Sequence, residues 1–131
     1  MTPKKITYNQ LINAINVANK LSERKDKAGH TAKIFVGEMK TLTDAFNKKI
    51  ERLKLQHSAT DKDGCVILDE KGAYKFNKDG MIALQDDIEV LVNTEEVEIS
   101  EITWILIDVK QFPDLGELPE NLGFLRGILF E

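Results

Sequence analysis

One cysteine, Cys65, is all the thiol chemistry this chain possesses. A disulfide within the chain is excluded, and so is a zinc site built from several thiolates. Histidine is nearly as scarce, with only His30 and His57. On one continuous helix between them, a rise of ~1.5 Å per residue would hold the two about 40 Å apart. They would then share neither a metal nor a proton relay. No glycine-rich phosphate loop is present, because Gly116, Gly123 and Gly127 lack the spacing and the following lysine. No apolar run approaches the ~18 residues a membrane-crossing helix requires. The first ten residues turn polar at Thr7, Tyr8, Asn9 and Gln10, without the apolar centre of a secretory signal. The expected compartment is a reducing cytoplasm, and no membrane partner or cofactor is implied.

Charge is present in quantity, and it is unevenly placed. Residues 1–62 hold 13 Lys+Arg against 6 Asp+Glu, a net of +7. Residues 63–131 hold 5 against 16, a net of −11. The two portions therefore present fields of opposite sign.

The periodicity predicts an α+β protein forming a single domain over 1–131. Residues 1–59 are expected to form an antiparallel helical hairpin, and 60–131 an α+β part. Thr7 reads as an N-cap for a helix from Tyr8 to Arg24, with Leu11, Ile12, Ile15, Ala18 and Leu21 on one side. Lys25 to Gly29 reads as a turn, with Gly29 suited to a left-handed position. A second helix is expected over Thr31–Gln56, striped by Phe35, Met39, Leu42, Phe46, Ile50 and Leu53. The turns at Thr60–Gly64 and Asp69–Gly72 bracket Cys65–Leu68 and precede Ala73–Phe76, which together predict a β-hairpin. Asn77 then opens a third helix to Asn93, with Met81, Leu84, Ile88, Leu91 and Val92 inward. Glu96–Ile99 is expected to add a third antiparallel strand to the hairpin. The dense run Ile102, Trp104, Ile105, Leu106, Ile107, Val109 fits helix or strand, and Ser100-Glu101 favours a helix start. Leu118-Pro119-Glu120 would open a last short helix. No internal repeat is read.

Candidate chemistry meets ordinary structural explanations. Asp61, Asp63, Gly64 and Glu70 approach a calcium-loop spacing, but Ala59 and Ile67 would fall at ligand positions. A tight turn is the simpler reading. Cys65 in an apolar run reads as a packed small hydrophobe, since His57 is the one close base and a third group is missing. Asp86 and Glu89 share a helical face that reads as solvated. Lys33, Lys40, Lys48, Lys49, Arg52 and Lys54 form a basic face that could track phosphates. Exposed aromatic residues for base stacking are not interleaved with them, since Phe35 and Phe46 belong to the apolar stripe. A nucleic-acid-associated factor is therefore the alternative reading.

The stretch rich in Trp104, Phe112, Leu122, Phe124, Leu125, Ile128, Leu129 and Phe130 has two readings. It packs as core on its own hairpin, or part of it docks on a neighbouring subunit or partner. Joined to the basic face, the second reading predicts a non-enzymatic protein–protein interaction component that forms homo-oligomers.

Several segments together resemble small uncharacterised proteins of tailed bacteriophages and prophages. They are Leu21-Ser22-Glu23-Arg24-Lys25, Asp61-Lys62-Asp63-Gly64, Asp69 through Phe76, and Glu95-Glu96-Val97-Glu98-Ile99. The resemblance covers residues 6–100 and implies a mobile-element origin with a role in assembly or host interaction. It carries over no catalytic residue.

Overall fold

The computed structural model describes residues 4–99, 104–116 and 119–131. The chain is mostly helical with a small antiparallel sheet, an α+β arrangement. It divides into two compact units. One is built from the residues up to Thr41 and from Glu96 onward, the other from Leu42 to Glu95. The division thus does not fall where the sequence changes character, near Ala59.

In the first unit, strand β1 (Lys4–Thr7) runs straight into helix α1 (Tyr8–Leu21). Thr7 makes the junction. Its hydroxyl accepts the Gln10 N–H at 3.2 Å, and the Gln10 side chain accepts the Thr7 N–H at 3.0 Å. This reciprocal pair satisfies two donors that a bare helix start would leave unmade. α1 buries Tyr8, Leu11, Ala14 and Ala18 and ends at Leu21, the last residue of the apolar series, rather than at the expected Arg24. Asp26 then caps helix α2 (Lys27–Glu38) by accepting the Gly29 N–H at 3.1 Å. Gly29 is therefore inside a helix, correcting its assignment to a left-handed turn. α2 packs on α1 and buries Ala28, Ala32 and Phe35. Small side chains on both helices let the two backbones approach, so the hairpin forms between α1 and α2.

The long second helix expected over 31–56 is two helices. Met39 ends α2, its N–H reaching the Phe35 carbonyl at 3.0 Å, and α3 (Lys40–His57) follows. The apolar stripe runs through Met39 without interruption, which hides the break. Gly37, a weak helix former, stands two residues before it.

Strand β2 (Glu96–Ile99) exists as expected, but its partner is β1. The pairs are Lys4 with Ile99, Lys5 with Glu98, Ile6 with Val97 and Thr7 with Glu96. Ile6 and Ile99 are buried, while Lys5 opposes Glu98 on the exposed side. The sheet among the described residues has two strands rather than three. Residues 65–76 contribute only isolated bridges, Thr60 with Val66 and Leu68 with Tyr74. They lack a buried face that would hold a ladder together, and Leu68 is exposed.

The helix expected near residues 102–109 begins at Ser100-Glu101, which lie with Ile102 outside the described residues. From Trp104 to Asp108 the chain is not helical. Ile107 bridges Phe130, its N–H bonds the Leu129 carbonyl at 2.9 Å, and its carbonyl accepts from Glu131 at 2.9 Å. β-branched Ile105 and Ile107 suit this extended course. Short 3₁₀ turns follow at Val109–Gln111, Pro113–Leu115 and Glu120–Leu125. The last replaces the terminal helix, whose expected first residue, Leu118, lies outside the described residues.

The second unit holds α3, a loop and α4 (Lys78–Thr94). Contrary to the expectation of no internal repeat, its sequence contains one of eight residues: DKDGCVIL at 61–68, DEKGAYKF at 69–76 and NKDGMIAL at 77–84. Asp61 accepts the N–H groups of Asp63 and Cys65 at 2.9 and 3.0 Å. Asp69 does the same for Lys71 and Ala73 at 2.8 and 2.9 Å. Gly64 and Gly72 both sit at φ 82°, where a side chain is disfavoured. The third copy instead opens α4, with Gly80 against the His57 carbonyl.

Candidate interaction surface

The expected apolar interface is mostly core. Leu125, Ile128 and Leu129 are completely buried, and Trp104 and Phe130 nearly so. The Trp104 Nε1–H donates to the Ile128 carbonyl at 2.7 Å, and its ring meets Phe35 edge to face at 5.3 Å. These five side chains are unavailable to a partner in the folded chain, because burying them is what holds the first unit together. Phe112, Leu122 and Phe124 stay half-buried. Cys65 is exposed, contrary to its expected packing. The Asp61 turn needs no cation to explain it, since two backbone donors occupy that carboxylate. Among the described residues no group of three or more His, Cys, Asp or Glu side chains could hold a metal ion. Nor is any helix among them long and apolar enough to cross a membrane.

Within the first unit the most elaborate polar contact centres on Arg24. Its guanidinium bonds Asp26 at 2.6 Å and Asp114 at 2.6 Å, and stands 5.5 Å from the centre of the Phe112 ring. The hydrogen bond from Arg24 holds both carboxyls below their ordinary range, and the two aspartates, Asp114 foremost, raise the guanidinium. A carboxyl lowered by folding contributes stability above its unfolded pKa and loses it as pH falls through the folded value. Wild type should therefore lose more stability between neutral pH and about pH 3 than Arg24→Met does. Thermal melts at the two pH values measure the difference. Equal acid losses would deny the pairing any role. Arg24 and Asp26 are half-exposed and Asp114 is exposed, so the effect is modest.

The expected basic face is divided between the units. Lys33 lies on α2, while Lys40 at the start of α3 precedes the unit boundary. Lys48, Lys49, Arg52 and Lys54 lie on α3 within the second unit, with Lys48 and Arg52 exposed. Lys49 pairs with Glu95, and Lys54 is 3.4 Å from Glu51. α3 buries none of its side chains, and the second unit as a whole buries only Ala59 and Leu84.

Between α3 and α4 runs an open groove of about 380 Å³. Leu53, Val90 and Leu91 form its floor, with Lys49 and Arg52 on the α3 side and Asp87 and Glu95 on the other. His57 Nε2 meets Asp87 at 2.5 Å and ties the end of α3 to α4. His57 is thus mostly covered rather than free at an exposed last turn, its side chain 17% accessible. The straight-helix separation from His30 does not apply, since the helix is broken at Met39.

Sequence reasoning missed the side chains that face water. Val90 is 59% exposed, Leu55 52% and Ile82 50%, while Met81, expected inward, is 40% exposed. A signal existed. Ile82 and Val90 flank Asp86 at intervals of four on α4, on a face that the charge marks as solvated and that lies off the stripe of Leu84, Ile88 and Leu91.

No family model, curated protein or solved structure matches the chain.

Proposed function

We propose that this chain is a non-enzymatic protein–protein interaction component of phage or prophage origin, acting in assembly or host interaction and associating with itself. Its place of work is the host cytoplasm or the virion, and it uses no cofactor. The supporting observation is the second unit, where Leu55, Leu68, Ile82 and Val90 are left in water beside helices of opposite charge. Exposed apolar side chains among segregated charges suit a surface that another protein covers. Electrostatic attraction would set orientation and association rate, and the apolar floor would supply affinity.

Chemical cross-linking in the producing cells tests this reading. Adducts of the chain with itself or with discrete other proteins are expected. Recovery of the uncross-linked chain alone would sink it. In vitro, association should weaken as salt is raised through the range that screens exposed charges, a Debye length of ~10 Å at 0.1 M.

The nucleic-acid reading draws on the exposed Lys48 and Arg52 of α3. The acidic α4 beside them would repel a polyanion, which disfavours that reading. Fluorescence anisotropy against single- and double-stranded DNA and RNA should show weak binding, indifferent to reversing those two charges.

A further inference from the structure

Two helices set side by side form a single layer, and a single layer cannot bury its apolar stripe on both faces. α3 and α4, joined through the Lys49–Glu95 and His57–Asp87 pairs, have this incompleteness. α3 has no buried side chain and α4 has only Leu84. Half-covered Leu53 and Leu91 line the groove with the protruding Val90. A second helical pair laid over such a layer makes a four-helix arrangement and completes its core.

Charge says which pair fits. α3 carries five Lys and Arg against two Asp and Glu, a net of +3. α4 carries one Lys against four Asp and Glu, a net of −3. The exposed side chains repeat this division, with Lys48 and Arg52 on α3 and Asp86 and Glu89 on α4, while Lys49–Glu95 and His57–Asp87 pair within the unit. A partner of one sign would satisfy one helix and oppose the other. A partner carrying one helix of each sign satisfies both when crossed, and this chain is itself such a molecule. We infer that the groove is covered by the α3–α4 pair of a second copy, with α3 of each chain against α4 of the other. The arrangement is two-fold symmetric, so the same patch serves both chains. Placing α3 on α3 would set +3 against +3, which fixes the crossed orientation. The inference rests on the self-association proposed above and names the surface that performs it.

Charge-reversed variants of the full chain test it. K48E/R52E turns α3 from +3 to −1, and D86K/E89K turns α4 from −3 to +1. All four side chains are exposed. In either variant alone, both crossed contacts join helices of like charge. Sedimentation velocity in low salt should show wild type as a dimer and each variant weakened by about tenfold or more. Mixing the two should restore a one-to-one heterodimer, because each crossed contact then joins opposite charges. V90E, aimed at the apolar floor, should weaken association without reversing either helix.

Rescue by mixing separates lost contacts from lost folding, since a misfolded chain would not be restored. Failure of the mixture to associate overturns the inference. So does persistence of dimers in each variant alone, which leaves self-association standing on another surface. A wild-type chain that stays monomeric at high micromolar concentration overturns it too. In that event, cross-links to other proteins in cells would still support the broader interaction reading.

Discussion

Replacing Phe35 with alanine should cost about 3–5 kcal/mol of stability, the largest loss expected from any single side chain here. Phe35 is wholly inaccessible on α2 and meets the Trp104 ring edge to face at 5.3 Å, with the planes 81° apart. Truncation removes the transfer energy of an aromatic ring, leaves a cavity, and forfeits an edge-to-face contact worth about 0.5–1.5 kcal/mol beyond burial. A domain of this size has roughly 5–15 kcal/mol in total, so the variant approaches the limit of folding. Trp104 is the only tryptophan in the chain, so intrinsic fluorescence reads this cluster directly. Its Nε1–H is held by the Ile128 carbonyl at 2.7 Å. In Phe35→Ala the emission should shift to the red and the melting midpoint should fall by about 10 °C or more. Phe35→Leu should retain much of the loss. A Phe35→Ala chain that melts like wild type with unchanged emission would place the core of the first unit elsewhere.

Fold and sequence agree where a local rule and a tertiary need coincide. The start of α1 was legible because Thr7 and Gln10 form a capping pair directly ahead of an apolar series. Asn77 likewise stands at the N-cap of α4, though its side chain makes no capping bond there. The break at Met39 was not legible, since Phe35, Met39, Leu42 and Phe46 continue at helical spacing across it. β1 escaped notice because Lys4-Lys5-Ile6-Thr7 offers a single buried residue, Ile6, and takes its identity from pairing with Glu96–Ile99. Tertiary pairing of this kind leaves almost no trace in a four-residue window.

The candidate surface was half legible. Opposite charge in the two portions of the chain was visible, and within the second unit it becomes α3 against α4. Of the two readings open for the apolar C-terminal segment, core fits the buried Trp104, Leu125, Ile128, Leu129 and Phe130. The densest hydrophobic run, near Trp104 and Leu125 to Phe130, is dense because it is core. The exposed residues Leu55, Ile82 and Val90 stand singly on amphipathic helices, off the stripes that the periodicity marks as inward. Apolar density reports burial; exposure follows from which face of a helix has a neighbour, and that requires the fold.

Two glycines of α2 should respond to alanine with opposite signs, though they belong to one helix and receive one methyl group. At Gly29 an ideal Cβ would lie 2.0 Å from the Arg24 carbonyl oxygen and 2.7 Å from its carbon. Both are backbone atoms and cannot rotate away. Relief requires moving the first turn of α2 off the preceding chain, which strains the Asp26 cap and displaces the Arg24 fork that grips Asp114. Overpacking of this kind costs about 1–3 kcal/mol, with the lost cap adding ~1 kcal/mol. At Gly37 nothing lies within 4 Å of the new carbon, and the residue is exposed in helical conformation. Alanine there restricts the unfolded chain and favours the helix, a gain of about 0.4–1 kcal/mol. Denaturant titration of the two variants should move the midpoint down for Gly29→Ala and up for Gly37→Ala. Movement in the same direction would mean that the close approach at Arg24 is not what selects glycine at position 29.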